Sequence, residues 1–336
     1  MAVMGLKKRV AKDEALIVGR SPGQLAWRRF KRNKIGVIAG LVSISVVAGS
    51  VLAPMITRLV GVDPNTMHLE ILDAAGIPKL PHYGLGISHP LGLIPGTGRD
   101  LFAQLLYGSR ISFLVAFLTT TLSLLIGLII GVAGGYFRGR VDAILGRITD
   151  FLLSFPAFFM IVALTGPAID RIQQWGIASG NSARMIFLIV FLSLFGWPYF
   201  SRLVRSQTLS LRENDFVTAA VAMGASSRRI IFKELAPNLL APIIVFTSLS
   251  LPGYLAVESV YSFLGLGVQP PASTWGILLS NSTRYVTVMP QFFLITAGSL
   301  VLVVLAFNLA GDALRDRKST RLNSSHMSES RMPSSA

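Results

Sequence analysis

Residues 111–137, ISFLVAFLTTTLSLLIGLIIGVAGGYF, hold no charged side chain in 27 positions. A helix that crosses the hydrocarbon of a bilayer needs about 20 apolar residues, because its backbone finds no water there and must bond to itself. This stretch is long enough to cross. The solvent around much of the chain is therefore lipid.

Outward from it lie five further uncharged segments: 35–57 on one side, and 151–169, 185–201, 239–257 and 285–311 on the other, the last with its apolar core at 292–309. The expected fold is an all-α polytopic membrane protein with six transmembrane helices. Composition agrees, since the 336 residues are 52% hydrophobic and 14% charged, against about a quarter charged in soluble domains. The mean hydropathy is +0.60.

Basic residues in short flanking segments orient such a bundle, because positive loops stay in the cytoplasm. The leader up to Lys34 carries ten, Lys7, Lys8, Arg9, Lys12, Arg20, Arg28, Arg29, Lys31, Arg32 and Lys34, against Asp13 and Glu14. Arg138, Arg140 and Arg147 follow the second span, and Arg202, Arg205, Arg212, Arg228, Arg229 and Lys233 follow the fourth. The first loop, 58–110, balances Arg58, Lys79, Arg99 and Arg110 with Asp63, Glu70, Asp73 and Asp100. Both termini are thus expected in the cytoplasm. The net charge of +15 is read as this topology and not as nucleic-acid binding, for the positive residues sit beside spans instead of on one basic and aromatic face.

The segments that follow are a basic cytoplasmic leader (1–34), a first span (35–57), an external loop (58–110), a permease core of five helices (111–311) and a serine-rich tail (317–336). Trp27 and Phe30 among basic residues suit an interfacial helix. The first span with its long leader reads as an uncleaved anchor, not a signal peptide. The tail cannot bury enough surface to offset its ordering entropy, and it reads as disordered and foreign to the gene.

The chemistry-bearing patterns are few. No Gly-rich loop ending in Gly-Lys-Ser/Thr occurs, so the chain has no recognisable seat for ATP phosphates. No cysteine is present, which removes thiolate ligands, disulfides and cysteine nucleophiles. His68, His82 and His89 in the first loop read as solvated residues and not as a metal site. No catalytic residue, metal or cofactor is expected in this chain. The spans also lack ionisable groups, apart from Asp150 at a boundary and Glu258 at the end of the fifth span, so they offer little for a proton gradient to act on. Energy for transport must enter from a partner.

Within the spans, Gly127, Gly131 and Gly135 are small residues at four-residue spacing, which lets another helix approach; a moving helix interface is one reading and plain packing the favoured one. Pro156, Pro198 and Pro252 each permit a kink.

Residues 215–237, DFVTAAVAMGASSRRIIFKELAP, place a polar hairpin between two spans. Asp215 is read as the cap of a short helix through Ala222, Gly224 as the turn, and Ser226 or Ser227 as the cap of a second helix, 228–235, which Pro237 keeps from running into the fifth span. Two readings of this elbow stand side by side: an interfacial helix with Arg228, Arg229 and Lys233 at the headgroups, or a docking surface for something outside the bilayer.

The hairpin resembles the EAA loop of ABC importer permeases, a Glu-Ala-Ala, a glycine one turn later and a closing Ile-x-Leu-Pro. Ala219, Ala220, Gly224 and Pro237 are in register with it, while Thr218 stands for the glutamate, Glu234 for the isoleucine and Ala236 for the leucine. The resemblance extends to the C-type permease of dipeptide and oligopeptide (nickel) ABC importers, through WRRFKRNKIG, HPLG followed by GRD, LLYGSRIS, LLSFPAFF, ENDFVTAAVAMGAS and ESVYSFLGLGVQPPASTWG. Residues 93–97 depart from it.

That resemblance implies a non-catalytic permease of the bacterial inner membrane with the type I importer fold. It implies two cytoplasmic ABC ATPase subunits that hold ATP and Mg, a second homologous permease completing a heterodimer, and an extracytoplasmic substrate-binding protein. Asp215, Thr218, Ala219, Ala220, Gly224, Arg228 and Pro237 would then couple to the ATPases. On the outside, residues 258–276 read either as an external gate or binding-protein contact, through Glu258, Phe263, Gly265, Gly267 and Trp275, or as an ordinary re-entrant loop; Trp275 suits the interface, and Glu258 and Arg284 are a candidate ion pair. Short peptides are the expected cargo. Nickel chelates or small glycans are alternatives within the family, and a self-sufficient secondary transporter or channel is the alternative outside it.

Overall fold

The computed structural model describes residues 30–31, 33–79, 85–86 and 88–315. The basic leader falls almost wholly outside them, as do His82 and the whole of the serine-rich tail.

Local rules set the helix ends. Asn33 accepts the Gly36 N–H at 3.0 Å and starts α1, Lys34–Val51; Leu52 breaks the helical run and α2, Ala53–Val60, closes on Gly61. Asp100 accepts the Ala103 N–H at 2.7 Å and starts α3, Leu101–Phe137, the longest helix at 37 residues. There follow α4, Gly139–Ser154, α5, Ala157–Gln174, and α6, Gly180–Arg212. The elbow comprises α7, Asp215–Ala222, and α8, Ser227–Arg229. Beyond it run α9, Ala236–Phe263, α10, Trp275–Thr283, and α11, Pro290–Arg315.

Five of these helices, α1, α3, α6, α9 and α11, are long and apolar enough to cross a membrane, and α4 with α5 makes a sixth crossing if taken together. The pair is bent by 82°. The segment read as one third span, 151–169, is thus broken at Phe155 and Pro156, because proline disfavours the helical conformation in the residue before it and Phe155 is extended at ψ 130°. Pro198 and Pro252 lie inside α6 and α9 without ending them.

The three spaced glycines of α3 face α6. A Cβ on Gly131 would stand 2.7 Å from both the Ser201 carbonyl oxygen and Val204 Cβ, and one on Gly135 2.7 Å from Thr208 Cβ. Plain close packing accounts for this spacing. On the far side, α1 packs along α11.

The apolar interior is layered along the bundle. At one end Leu101, Leu105, Phe113, Leu255, Trp275 and Phe292 cluster; α5 and α6 share Ile161, Phe187 and Phe191; and towards the elbow Val132, Phe200, Val204 and Leu239 meet. Trp275 belongs to the first layer and not to an interface, being 4% exposed, with its ring edge-on to Phe113 and its indole N–H donated to the Leu105 carbonyl at 3.1 Å.

Candidate functional site

The elbow folds from short-range bonds. Asn214, not Asp215, occupies the cap position of α7, with its carbonyl accepting the N–H groups of Val217 and Thr218. Asp215 sits in the first turn, where its charge favours the helix N-terminus. Gly224 then adopts φ +78°, a left-handed conformation that a side chain opposes. Its N–H bonds the Val221 carbonyl and that of Ala225 bonds Ala220, closing the turn. Ser226 caps α8 by accepting the Arg229 N–H at 3.4 Å.

Past α8 the expected stop is absent. Residues 230–235 form a π-helical segment, and the helix continues without interruption from Ser227 to Phe263. The Ala236 N–H reaches back to the Ile231 carbonyl, immediately before Pro237. Proline has no N–H to offer, so the widened turn absorbs its missing bond. Asn238 donates its side-chain amide to the Glu234 carbonyl at 2.7 Å.

The elbow is partly buried and partly uncovered. Val217, Ala220, Ile230 and Leu235 are buried against Tyr136 at the end of α3 and Leu211 at the end of α6. Arg212 donates to the Tyr136 carbonyl at 2.6 Å and lies over its ring, while Arg138 pairs with Glu213 at 2.7 Å. Elsewhere on the elbow Met223 is 81% exposed and Phe232 68%, with Val221 and Phe216 also exposed. Of the residues singled out in the sequence, Asp215, Thr218, Ala219, Gly224, Arg228 and Pro237 are exposed, whereas Ala220 belongs to the elbow's own core. The sequence reading passed over Met223 and Phe232. Their signal was large apolar side chains in a segment outside the spans.

The loop 264–274 closes the other end of α9. It is fastened to α6 by Asn181, which exchanges two bonds with Gln269, and by Arg184, which donates to the Gly267 carbonyl at 3.3 Å. Arg99 reaches the Pro271 carbonyl at 3.3 Å, and Ser273 donates to that of Gln104. Phe263 is half-buried, Gly265 exposed at φ +78°, and Gly267 buried.

Glu258 is fully buried. Its carboxyl accepts from Ser262 Oγ at 2.7 Å and lies 3.5 Å from Ser259 Oγ. These hydroxyls, not Arg284, are its partners. The geometry follows from helical spacing, for Ser262 is one turn beyond Glu258 on the same face.

In the first loop His89 Nδ1 lies 2.9 Å from Asp100, the residue that caps α3. The HPLG and GRD motifs therefore meet in space: they fix the start of the longest helix.

Residues 101–322 match the family described as "Binding-protein-dependent transport system inner membrane component", and residues 21–74 the "N-terminal TM domain of oligopeptide transport permease C". This chain belongs to the binding-protein-dependent inner membrane component family. Among curated relatives of the permease, the dipeptide transport system permease protein DppC of Alkalihalophilus pseudofirmus is 32% identical over 90% of this chain and 91% of the relative. The oligopeptide transport system permease protein OppC of Escherichia coli K12 is 35% identical over 89% of this chain and 91% of the relative. Among solved structures, an inward-facing form of the MetNI methionine ABC transporter shares the fold at a TM-score of 0.51 and 19% identity, covering 64% of this chain and 96% of that one. The permease is accordingly a multi-pass protein of the inner membrane and a component of an ABC importer.

Proposed function

We propose that this chain is the non-catalytic membrane half-channel of an ATP-driven peptide importer, working with a second, homologous permease as a heterodimer. ATP and Mg are held by two cytoplasmic ATPase subunits, each gripping one elbow, and an extracytoplasmic binding protein delivers the cargo. Both termini and the elbow face the cytoplasm on this reading, as the basic residues beside them favour. Peptide as cargo is supported by the names of the relatives, DppC and OppC.

One observation carries the coupling assignment. The elbow buries Val217, Ala220, Ile230 and Leu235 against the ends of α3 and α6 and leaves Met223 and Phe232 uncovered. Large apolar side chains left exposed on one short elbow beyond the spans mark a surface made for a partner. The buried residues make the elbow rigid with the bundle, so a push on its uncovered side chains moves the spans.

The test is co-purification. Met223→Glu with Phe232→Glu puts two charges on the uncovered positions while sparing the buried ones; the double variant should reach the membrane normally and lose its ATPase subunits. Undiminished capture of the ATPases would overturn the assignment.

A further inference from the structure

Directly before the uncharged run 111–137 stands Arg110, the basic residue of the LLYGSRIS stretch. It is the last charge on α3 before hydrocarbon begins. Its guanidinium carbon lies 5.6 Å from the centre of the Tyr107 ring, one turn back along the helix, and its side chain is exposed. Among the described residues no carboxylate pairs with it.

Arg110 borders a cavity of about 710 Å³ at the end of the bundle away from the elbow, walled chiefly by α1, α3 and the loop 264–274. Among the described residues that line it, Arg110 alone is charged. Two of the polar lining residues already have partners, for the Gln104 side-chain amide donates to the Pro64 carbonyl and Ser273 donates to the Gln104 carbonyl at 3.3 Å. Much of the remaining wall is apolar. Leu114 and Phe117, one and two turns deeper on α3, line it together with Val47 and Val51 of α1, and all four are exposed although they lie in spans. The cavity therefore opens sideways from α1 and α3.

This is a cation at the membrane boundary above an apolar wall that runs about 10 Å deeper, from Arg110 to Phe117 at 1.5 Å per residue. What complements it is an anion carrying an apolar chain, and in a bilayer that molecule is a phospholipid. A guanidinium suits phosphate oxygens, which it can meet with two N–H groups at once. The volume is that of a ligand cleft, about 300–1,000 Å³.

We propose that this cavity seats one anionic phospholipid of the leaflet away from the elbow, its phosphate on Arg110 and one acyl chain along Leu114 and Phe117. Tyr107 steadies the guanidinium through its ring and leaves the N–H groups to the phosphate. The acyl chain fills space that the side chains of α1 and α3 leave open, and so fastens the first span to the core.

The experiment uses the intact importer complex in phosphatidylcholine nanodiscs with a trace of phosphatidylglycerol bearing a diazirine on its acyl chain; after illumination, adducts are mapped by mass spectrometry. They should concentrate on residues 47–51 and 111–117, severalfold above those from a phosphatidylcholine with the same diazirine chain. Arg110→Ala should lower the phosphatidylglycerol adducts about tenfold, the effect of losing a charge-assisted hydrogen bond, and abolish the preference. Arg110→Lys keeps the charge and should keep the preference, which a role in packing alone would not require. Equal labelling by both lipids in the parent means annular lipid only and overturns the proposal, as does parental labelling in the alanine variant. Should that variant fail to assemble, Leu114→Trp fills the apolar wall and leaves the charge; labelling at 47–51 should fall severalfold, and undiminished labelling overturns the proposal equally. No adduct at either segment of the parent shows that the second permease covers the cavity, which also overturns it. Excess trialanine should leave the adducts unchanged; suppression that requires Arg110 assigns the cavity to cargo and not to lipid.

Discussion

Asn181 and Gln269 bond each other twice: the Asn181 amide nitrogen donates to the Gln269 carbonyl at 2.7 Å, and the Gln269 N–H donates to the Asn181 amide oxygen at 2.9 Å. The two residues are 88 apart in sequence, so this pair ties a loop to the start of a helix that local forces would not bring to it. Asn181→Ala should cost about 1–3 kcal/mol, because the Gln269 backbone groups are left without partners. Thermal unfolding of the nanodisc-embedded permease should fall by several degrees. Asn181→Asp, which can still accept the Gln269 N–H, should fall less. An alanine variant that melts with the parent would show that the pair contributes nothing.

Gly131 lies where α3 and α6 touch. A leucine there has no space, since even a Cβ would meet Ser201 and Val204 at 2.7 Å. Overpacking of this kind costs about 1–3 kcal/mol and often more when backbone is the obstacle. Gly131→Leu should sharply reduce the folded protein recovered from membranes, and Gly131→Ala should reduce it less. Equal recovery of all three would mean that the helices separate freely.

At Gly224 the obstacle is of another sort. Nothing lies within 4 Å of a Cβ added there, yet φ is +78°, so Gly224→Val strains the turn by about 1–3 kcal/mol without disturbing packing. Membrane insertion and ATPase binding should persist. Uptake of labelled peptide by proteoliposomes should fall well below the parent at an unchanged rate of ATP hydrolysis. Parental uptake would refute the turn's role in coupling.

The crossings were legible because hydrocarbon excludes charge, and a helix facing water on one side would carry charged residues over such a length. The elbow was legible in outline, since Gly224 and Ser226 act on their own neighbours. What lay hidden depends on distance or on register. Pro156 breaks a span where Pro198 and Pro252 do not, although each offers the chain the same missing N–H. Pro237 was expected to end a helix, but a π turn needs only one extra residue per turn and leaves no sequence mark. Gln269 gathers Asn181 from far back in the chain, and Trp275, an interfacial residue by habit, is drawn into the interior by Phe113 and Leu105. Which face of a short helix is uncovered also escapes periodicity, as Met223 and Phe232 illustrate.

The bend at Phe155 leaves α5 with 18 residues, a rise of about 27 Å. A bilayer core is about 30 Å thick, so α5 alone falls just short of it. The crossing is whole only with residues of α4, whose axis the 82° bend turns aside.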